Sequence, residues 1–248
     1  DAGMEMLLSG GNAADAAAAT LLSQTVTEST KFCFGGEVPI IVYDAKDRSV
    51  HVLNGQGKAP ALATLDLFTS AGGIPGPGKN EDLANDRRNA TVPAAFHAIL
   101  TLLDVYGTKT FEEVARPTQR ILALHTEGWK ADLARTLQAL VDADVRARAA
   151  GAGRSAGLWA AGYEFYSENG SIARRLVRWS EENGALIRTA DLAGHTTPVE
   201  EPVFVQYRGL TVYKCGAWTQ GPYILETLNI LEGYDLKSMG RNSADYIH

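Results

Sequence analysis

Gly73-Ile74-Pro75-Gly76-Pro77-Gly78-Lys79 has the glycine and lysine spacing of a phosphate-binding loop. Asn80 follows where a Ser or Thr hydroxyl would reach magnesium, and Pro75 and Pro77 remove N–H groups that such a cradle uses. The segment therefore reads as a surface loop. His51, His97, His125, His195 and His248 share no metal-ligand spacing, so no metal is expected. Cys215 ends a predicted strand rather than opening a helix, which reads as a buried thiol and not a nucleophile. Glu112-Glu113 sit at a helix start, where carboxylates complement the dipole. No complete catalytic set emerges from these residues alone, and no cofactor is expected.

The elements that must position any site come from periodicity and punctuation. Ala2–Leu8 is predicted helical, ended by Ser9-Gly10-Gly11. Asn12 is an N-cap for an alanine-rich helix from Ala13 to about Leu22, poor enough in bulk to require tight packing, expected against a sheet. Asp15 on that helix reads either as a surface charge or as a buried hydrogen-bonding anchor. Residues 38–43 and 49–53 form a predicted β-hairpin, and Asn54–Pro60 leave it as a glycine-flexed loop. Residues 69–89 read as a long surface loop.

Pro93 is placed as the first residue of a helix to Tyr106. Phe111–Arg116 is a short amphipathic piece, and Pro117 begins another helix that Gly128 stops. Ala131 to about Ala149 is helical, and Gly151–Gly162 is the linker candidate. Ile172–Glu182 is a helix with Ile172, Leu176 and Trp179 on one face. Val203–Tyr207 and Leu210–Tyr213 flank Arg208-Gly209 as a second hairpin, and Pro222–Leu231 is the last clear helix. Helices and antiparallel hairpins alternate, so the fold class is α+β, with residues 1–248 read as a single domain.

The 248 residues carry a net charge of −6, with 45% hydrophobic and 21% charged residues, which excludes a disordered chain. Two cysteines cannot staple a chain of this length. The acidic balance argues against nucleic acid as a partner, and no apolar run is long enough to span a membrane. Without a secretory signal, the sequons at Asn89 and Asn169 read as coincidences.

Leu8-Ser9-Gly10-Gly11-Asn12-Ala13-Ala14-Asp15-Ala16-Ala17 resembles the opening helix pair of the γ-glutamyltransferase (γ-glutamyltranspeptidase) family. Phe34-Gly35-Gly36 before Ile40–Ala45 resembles its glycine-rich strand lead-in. Lys58-Ala59-Pro60, Val92-Pro93, Tyr106-Gly107, Asp191-Leu192, Tyr207-Arg208-Gly209 and Leu228–Leu236 follow in colinear order. Leu140–Tyr163 fits poorly.

The resemblance implies an N-terminal-nucleophile (Ntn) hydrolase αββα sandwich, with antiparallel sheets between helical layers. It further implies a precursor that cuts itself into large and small subunits and frees a threonine nucleophile on the small one. This chain resembles a large-subunit segment lacking the opening strand and the tail before the cut. No catalytic residue is then expected in it. Its expected partners are the small subunit and a small-molecule amide substrate, with a higher oligomer of the heterodimer left open.

One departure bears on the substrate. In family transferases an arginine after the hairpin strand pairs with the donor's α-carboxylate. The matching stretch here is Leu53-Asn54-Gly55-Gln56-Gly57-Lys58-Ala59-Pro60, with Gln56 at the arginine position. Gln56 can hydrogen-bond a carboxylate without charge, and Lys58 could turn inward as a point charge. Both also read as plain loop residues, with Lys58 solvated. Glu37-Val38-Pro39 replaces further glycines, and Trp218-Thr219-Gln220-Gly221 stands where typical transferases carry paired serines. Two other readings stay open: a homologue that has lost its chemistry, and an unrelated α+β binding protein.

Overall fold

A computed structural model describes residues 1–70, 86–125 and 127–248. The phosphate-loop-like segment 73–79 lies outside the described residues. Contacts divide the chain into a helical unit (residues 1–38 and 55–197) and a sheet-bearing unit (39–54 and 198–248).

Asn12 sets the first helix pair, α1 (Ala2–Leu8) and α2 (Ala13–Thr27). Its Oδ1 accepts from the N–H groups of Ala14 and Asp15 at 2.9 and 3.1 Å, while Asp15 accepts from Asn12 N–H at 2.8 Å. This reciprocal box satisfies donors that a helix start leaves unpaired. The helix runs past the expected end near Leu22 because Leu22 and Val26 still face the core. Its fully buried Ala18 and Ala19 admit close neighbours, and those neighbours are helices rather than the expected sheet.

Helix α3 spans Leu65–Ser70 and α4 spans Ala95–Tyr106. Pro93 stays outside α4: the N–H groups of Ala94 and Ala95 both donate to Gly36 O, at 2.9 and 2.8 Å. Helix α5 (Phe111–Leu122) is continuous through Pro117, where two helices were expected. Thr110 and Glu113 cap its start reciprocally. Buried Phe111, Val114, Ala115, Thr118 and Leu122 hold one face across the proline. The proline removes one internal N–H, and side-chain burial outweighs that loss. Gly128 opens the next helix instead of stopping the previous one.

The expected linker at 151–162 is mostly helix. Helices α6 (Gly128–Ala149) and α7 (Arg154–Tyr166) pack against each other, with Gly157, Leu158, Ala161 and Gly162 buried. Small residues here serve close approach, not looseness. A Cβ on Gly157 would collide with Asp144 Oδ1 and lie 2.9 Å from Arg148 Cγ. Asp144 is fully buried and bonds Arg148 Nε and Glu112 N–H, each at 3.1 Å, so it cannot move aside freely. Gly157→Ala is expected to cost about 1–3 kcal/mol, the usual range for overpacking, measured as a lowered urea midpoint.

Helix α8 (Ser171–Glu182) turns Ala173, Val177 and Ser180 inward. Ile172, Leu176 and Trp179 share one face as expected, lining one pocket, with Trp179 51% exposed under Arg87. Helix α9 (Thr189–Ala193) completes the unit. Its core centres on Phe96, whose ring lies 5.1 Å from Phe34 and 5.4 Å from both Phe111 and Phe165.

In the sheet-bearing unit, β1 (Ile40–Asp44) pairs antiparallel with β2 (Ser49–Leu53) in the register Val42↔His51. β3 (Val199–Glu200) joins β2 on its other edge, opposite Val52 and Leu53. β4 (Val203–Tyr207) and β5 (Leu210–Lys214) form the second hairpin. Its two turn residues, Arg208 and Gly209, have φ of 50° and 81°, the left-handed pair that matches strand twist in a two-residue loop. Helix α10 (Gly221–Glu232) packs on this hairpin, and short helices α11 (Leu236–Met239) and α12 (Ala244–Ile247) follow.

Candidate active site

Gln56, Gly57 and Lys58 follow β2 in a loop. Val38 N–H donates to Gly55 O at 2.9 Å, and Val92 N–H donates to Lys58 O at 2.9 Å, so the loop is pinned on both sides. Glu37 is the residue these contacts bring in. Its Oε2 accepts from the Gln56 side-chain amide and from Gly57 N–H, the latter at 3.2 Å. A carboxylate is thus bonded to the residue that the resemblance sets opposite the transferase arginine. Glu37 stood out in the sequence only as a lost glycine; its pairing across 19 positions has no local signature.

Lys58 is exposed. Its ammonium still lies close enough to His195 to disfavour protonation of that ring. Asp191 Oδ1 accepts from Ala61 N–H at 2.8 Å, tying the same loop to the start of α9.

His195 belongs to a ring cluster that the sequence did not reveal, because its members, His97, Tyr166 and His195, are far apart along the chain. The His97 ring centroid lies 5.2 Å from that of His195 and 5.3 Å from that of Tyr166. His97 Nδ1 pairs with Thr197 Oγ1 at 3.0 Å. The Tyr166 hydroxyl donates to Pro93 O at 2.9 Å and accepts from His97 N–H at 3.0 Å, serving a donor that α4's own N-cap leaves unmet. Burial pushes the Tyr166 phenol up.

Burial, with the His195 ring beside it, lowers His97 to about 4. Burial and the Lys58 charge lower His195 to about 4. An unfolded imidazole titrates near 6.5. Above that pH both rings are neutral in either state. As pH falls from about 6.5 to 4, the unfolded chain binds protons that the folded chain refuses, so stability is lost over that window. The loss is expected to reach about 2 kcal/mol or more by pH 5, read from urea midpoints. A His97→Gln/His195→Phe variant should flatten the profile.

In the sheet-bearing unit, Glu200 accepts from Trp218 Nε1–H and from the Asn54 side-chain amide, each at 2.9 Å. The Thr219 hydroxyl donates to Gly216 O at 3.0 Å and accepts from Gly221 N–H at 2.9 Å. That hydroxyl is committed to the turn before α10. Cys215 is buried, and desolvation raises its thiol, which keeps it protonated and unreactive. Glu113 caps α5 as expected, whereas Glu112 pairs with Arg148 at 2.9 Å. Among the described residues, no group of three or more His, Cys, Asp or Glu is placed to hold a metal, and no helix is long and apolar enough to cross a membrane.

Antiparallel sheet segments together with a helical unit are the elements of an Ntn-hydrolase chain. The gamma-glutamyltranspeptidase of Helicobacter pylori superposes with a TM-score of 0.79 at 21% identity, covering 100% of this chain and 76% of that one, a likeness of fold. The gamma-glutamyltranspeptidase family model matches residues 1–148 and 130–248, and the chain belongs to that family. It is 30% identical over 276 residues to the acylase ACY 1 proenzyme of Pseudomonas sp. (strain V22), covering 100% of this chain and 48% of the relative. It is 28% identical over 273 residues to the glutathione hydrolase proenzyme of Escherichia coli (strain K12), covering 98% and 45%. The chain thus spans about half the length of these curated relatives.

Proposed function

We propose that this chain is the large-subunit segment of an autoprocessed amidohydrolase or acyltransferase. Its nucleophile is then a threonine at the start of a second chain cut from the same precursor. The threonine hydroxyl attacks the acyl carbonyl of a small-molecule amide, with its own α-amine taking the proton. The C–N bond breaks, the amine leaves with that proton, and the acyl-enzyme is released by water or a second amine. Donated N–H groups would stabilise the tetrahedral oxyanion. The proenzyme names of both relatives support this reading. So do exposed apolar side chains in the sheet-bearing unit, among them Phe204, Leu210, Tyr223 and Ile230, which suit coverage by a second chain. Residues 1–248 then form part of one domain completed by that chain.

The observation that carries the substrate class is Glu37 bonded to Gln56 and Gly57. A donor α-carboxylate placed there meets the like charge of Glu37. We therefore assign the enzyme to acyl amides without an α-carboxylate at that position, as an acylase would use, over γ-glutamyl donors. The test of the chemistry is a hydroxyl-reactive acylating probe on the full two-chain protein, followed by intact mass. One adduct on the N-terminal threonine of the second chain is expected. A Thr-initiated chain that takes no label would instead favour a homologue without catalysis.

A further inference from the structure

Helix α8 carries Ile172, Arg175, Leu176 and Trp179 at spacings of three and four, which puts them on one face. That face lines a groove of about 530 Å3, within the size range of small-molecule sites. Phe34, Leu133 and Phe165 complete its apolar lining, and Arg178 and Glu182 join Arg175 as its charged residues. A second hollow, of about 400 Å3, adjoins it at Phe34, Gly35 and Leu133 and reaches Trp129 and Cys33. All of these residues belong to the helical unit.

The arginines of α8 differ in their commitments. Arg174 bonds Asn169 O, whereas the side chains of Arg175 and Arg178 make no hydrogen bond or ion pair among the described residues. Arg87 brings a further guanidinium, its carbon 5.8 Å from the Trp179 ring centre. Charge limits the ligand. Two arginines and one glutamate on the lining give 2 − 1, a net charge of +1, which complements a monoanion and repels a cation. A planar guanidinium fork matches a carboxylate. The apolar lining suits a hydrocarbon body, and the adjoining hollow offers a chain more apolar surface than a single short group would cover.

We propose that this groove binds a free alkyl carboxylate, a medium-chain fatty acid, with its head at Arg175 and Arg178 and its chain along Phe34 and Leu133 toward Trp129. The inference rests on the helical unit alone and stands or falls independently of the acyl chemistry proposed above.

The test titrates octanoate, below its micelle-forming concentration, against octanol and butanoate on the full two-chain protein at pH 7.5 by calorimetry. Octanoate is expected to bind saturably and about tenfold tighter than octanol, as a charge-assisted contact allows. Butanoate, four methylenes shorter, should bind at least about tenfold more weakly than octanoate. In Arg175→Gln/Arg178→Gln, octanoate and octanol should bind within about twofold of each other. Both arginines are exposed and unpaired among the described residues, so this variant should keep its fold. Octanoate should also slow iodoacetamide alkylation of Cys33, which is exposed in the adjoining hollow, as read by peptide mass. That readout separates the groove from any other place on the protein that accepts a carboxylate. Equal binding of octanoate and octanol, an octanoate preference retained in the double variant, or unchanged Cys33 alkylation would each overturn the site. Sedimentation with phosphatidylserine vesicles in place of saturable octanoate binding would also overturn it, assigning the groove to a lipid surface.

Discussion

Asp15→Ala is expected to be the most damaging single substitution for stability in the helical unit, at about 3–5 kcal/mol, the scale for stripping a buried, hydrogen-bonded charge from its partners. The side chain is fully buried and joins three elements. Its Oδ1 accepts from the N–H groups of Thr108 and Lys109, both at 2.9 Å. Its Oδ2 accepts from Asn12 N–H at 2.8 Å and the Thr108 hydroxyl at 2.7 Å. Removal leaves four donors unmet where α2, α4 and the start of α5 converge. Asp15→Asn keeps the shape but aims an NH2 group at donors, so it should recover only part of the loss. Burial alone would raise this carboxyl, and the hydrogen bonds from Asn12, Lys109 and Thr108 outweigh it and hold the pKa below the ordinary value. Its contribution is therefore present above about pH 4 and lost as pH falls through the lowered value, below the histidine window. Urea titrations of wild type and Asp15→Asn at pH 7 and pH 3 check this. The gap between the two proteins should narrow at pH 3.

Asp15 also shows what a sequence can and cannot disclose. The Asn12-x-x-Asp15 box is local, so the start of α2 was legible, but its contacts with Thr108 and Lys109 span more than ninety positions. That distance is why a surface charge and a buried anchor stayed equally open. Hairpins at 40–53 and 203–214 were legible because alternation and turn residues are local signals too. The helix at 154–166 was missed for the opposite reason. Gly157 and Gly162 carry low helix propensity, and their value appears only once α6 lies against them. Pro117 misled in the same way, since a local break signal lost to a buried face. Gln56 and Lys58 are site candidates only through colinear family motifs. Glu37 and His195 depend on tertiary neighbours that no spacing encodes.

The largest expected change in specificity comes from rebuilding the missing carboxylate clamp. Gln56→Arg alone should do little, because Glu37 already bonds residue 56 and Gly57 and would capture the new guanidinium. Glu37→Gln/Gln56→Arg frees that cation to pair with a donor α-carboxylate through two parallel hydrogen bonds. A charge-assisted contact of this kind is worth roughly 1.5–3 kcal/mol, so kcat/KM for a γ-glutamyl anilide should rise about 10–100-fold relative to a neutral acyl anilide. Lys58→Ala supplies the control, since an exposed ammonium should leave the ratio between the two substrates unchanged. A KM increase confined to the acidic substrate in Lys58→Ala would move the anchoring role to that lysine. A double variant with an unchanged ratio would show that residue 56 does not face the donor at all. The two arms are independent, because Glu37 and Gln56 act through their mutual hydrogen bond and Lys58 takes no part in it.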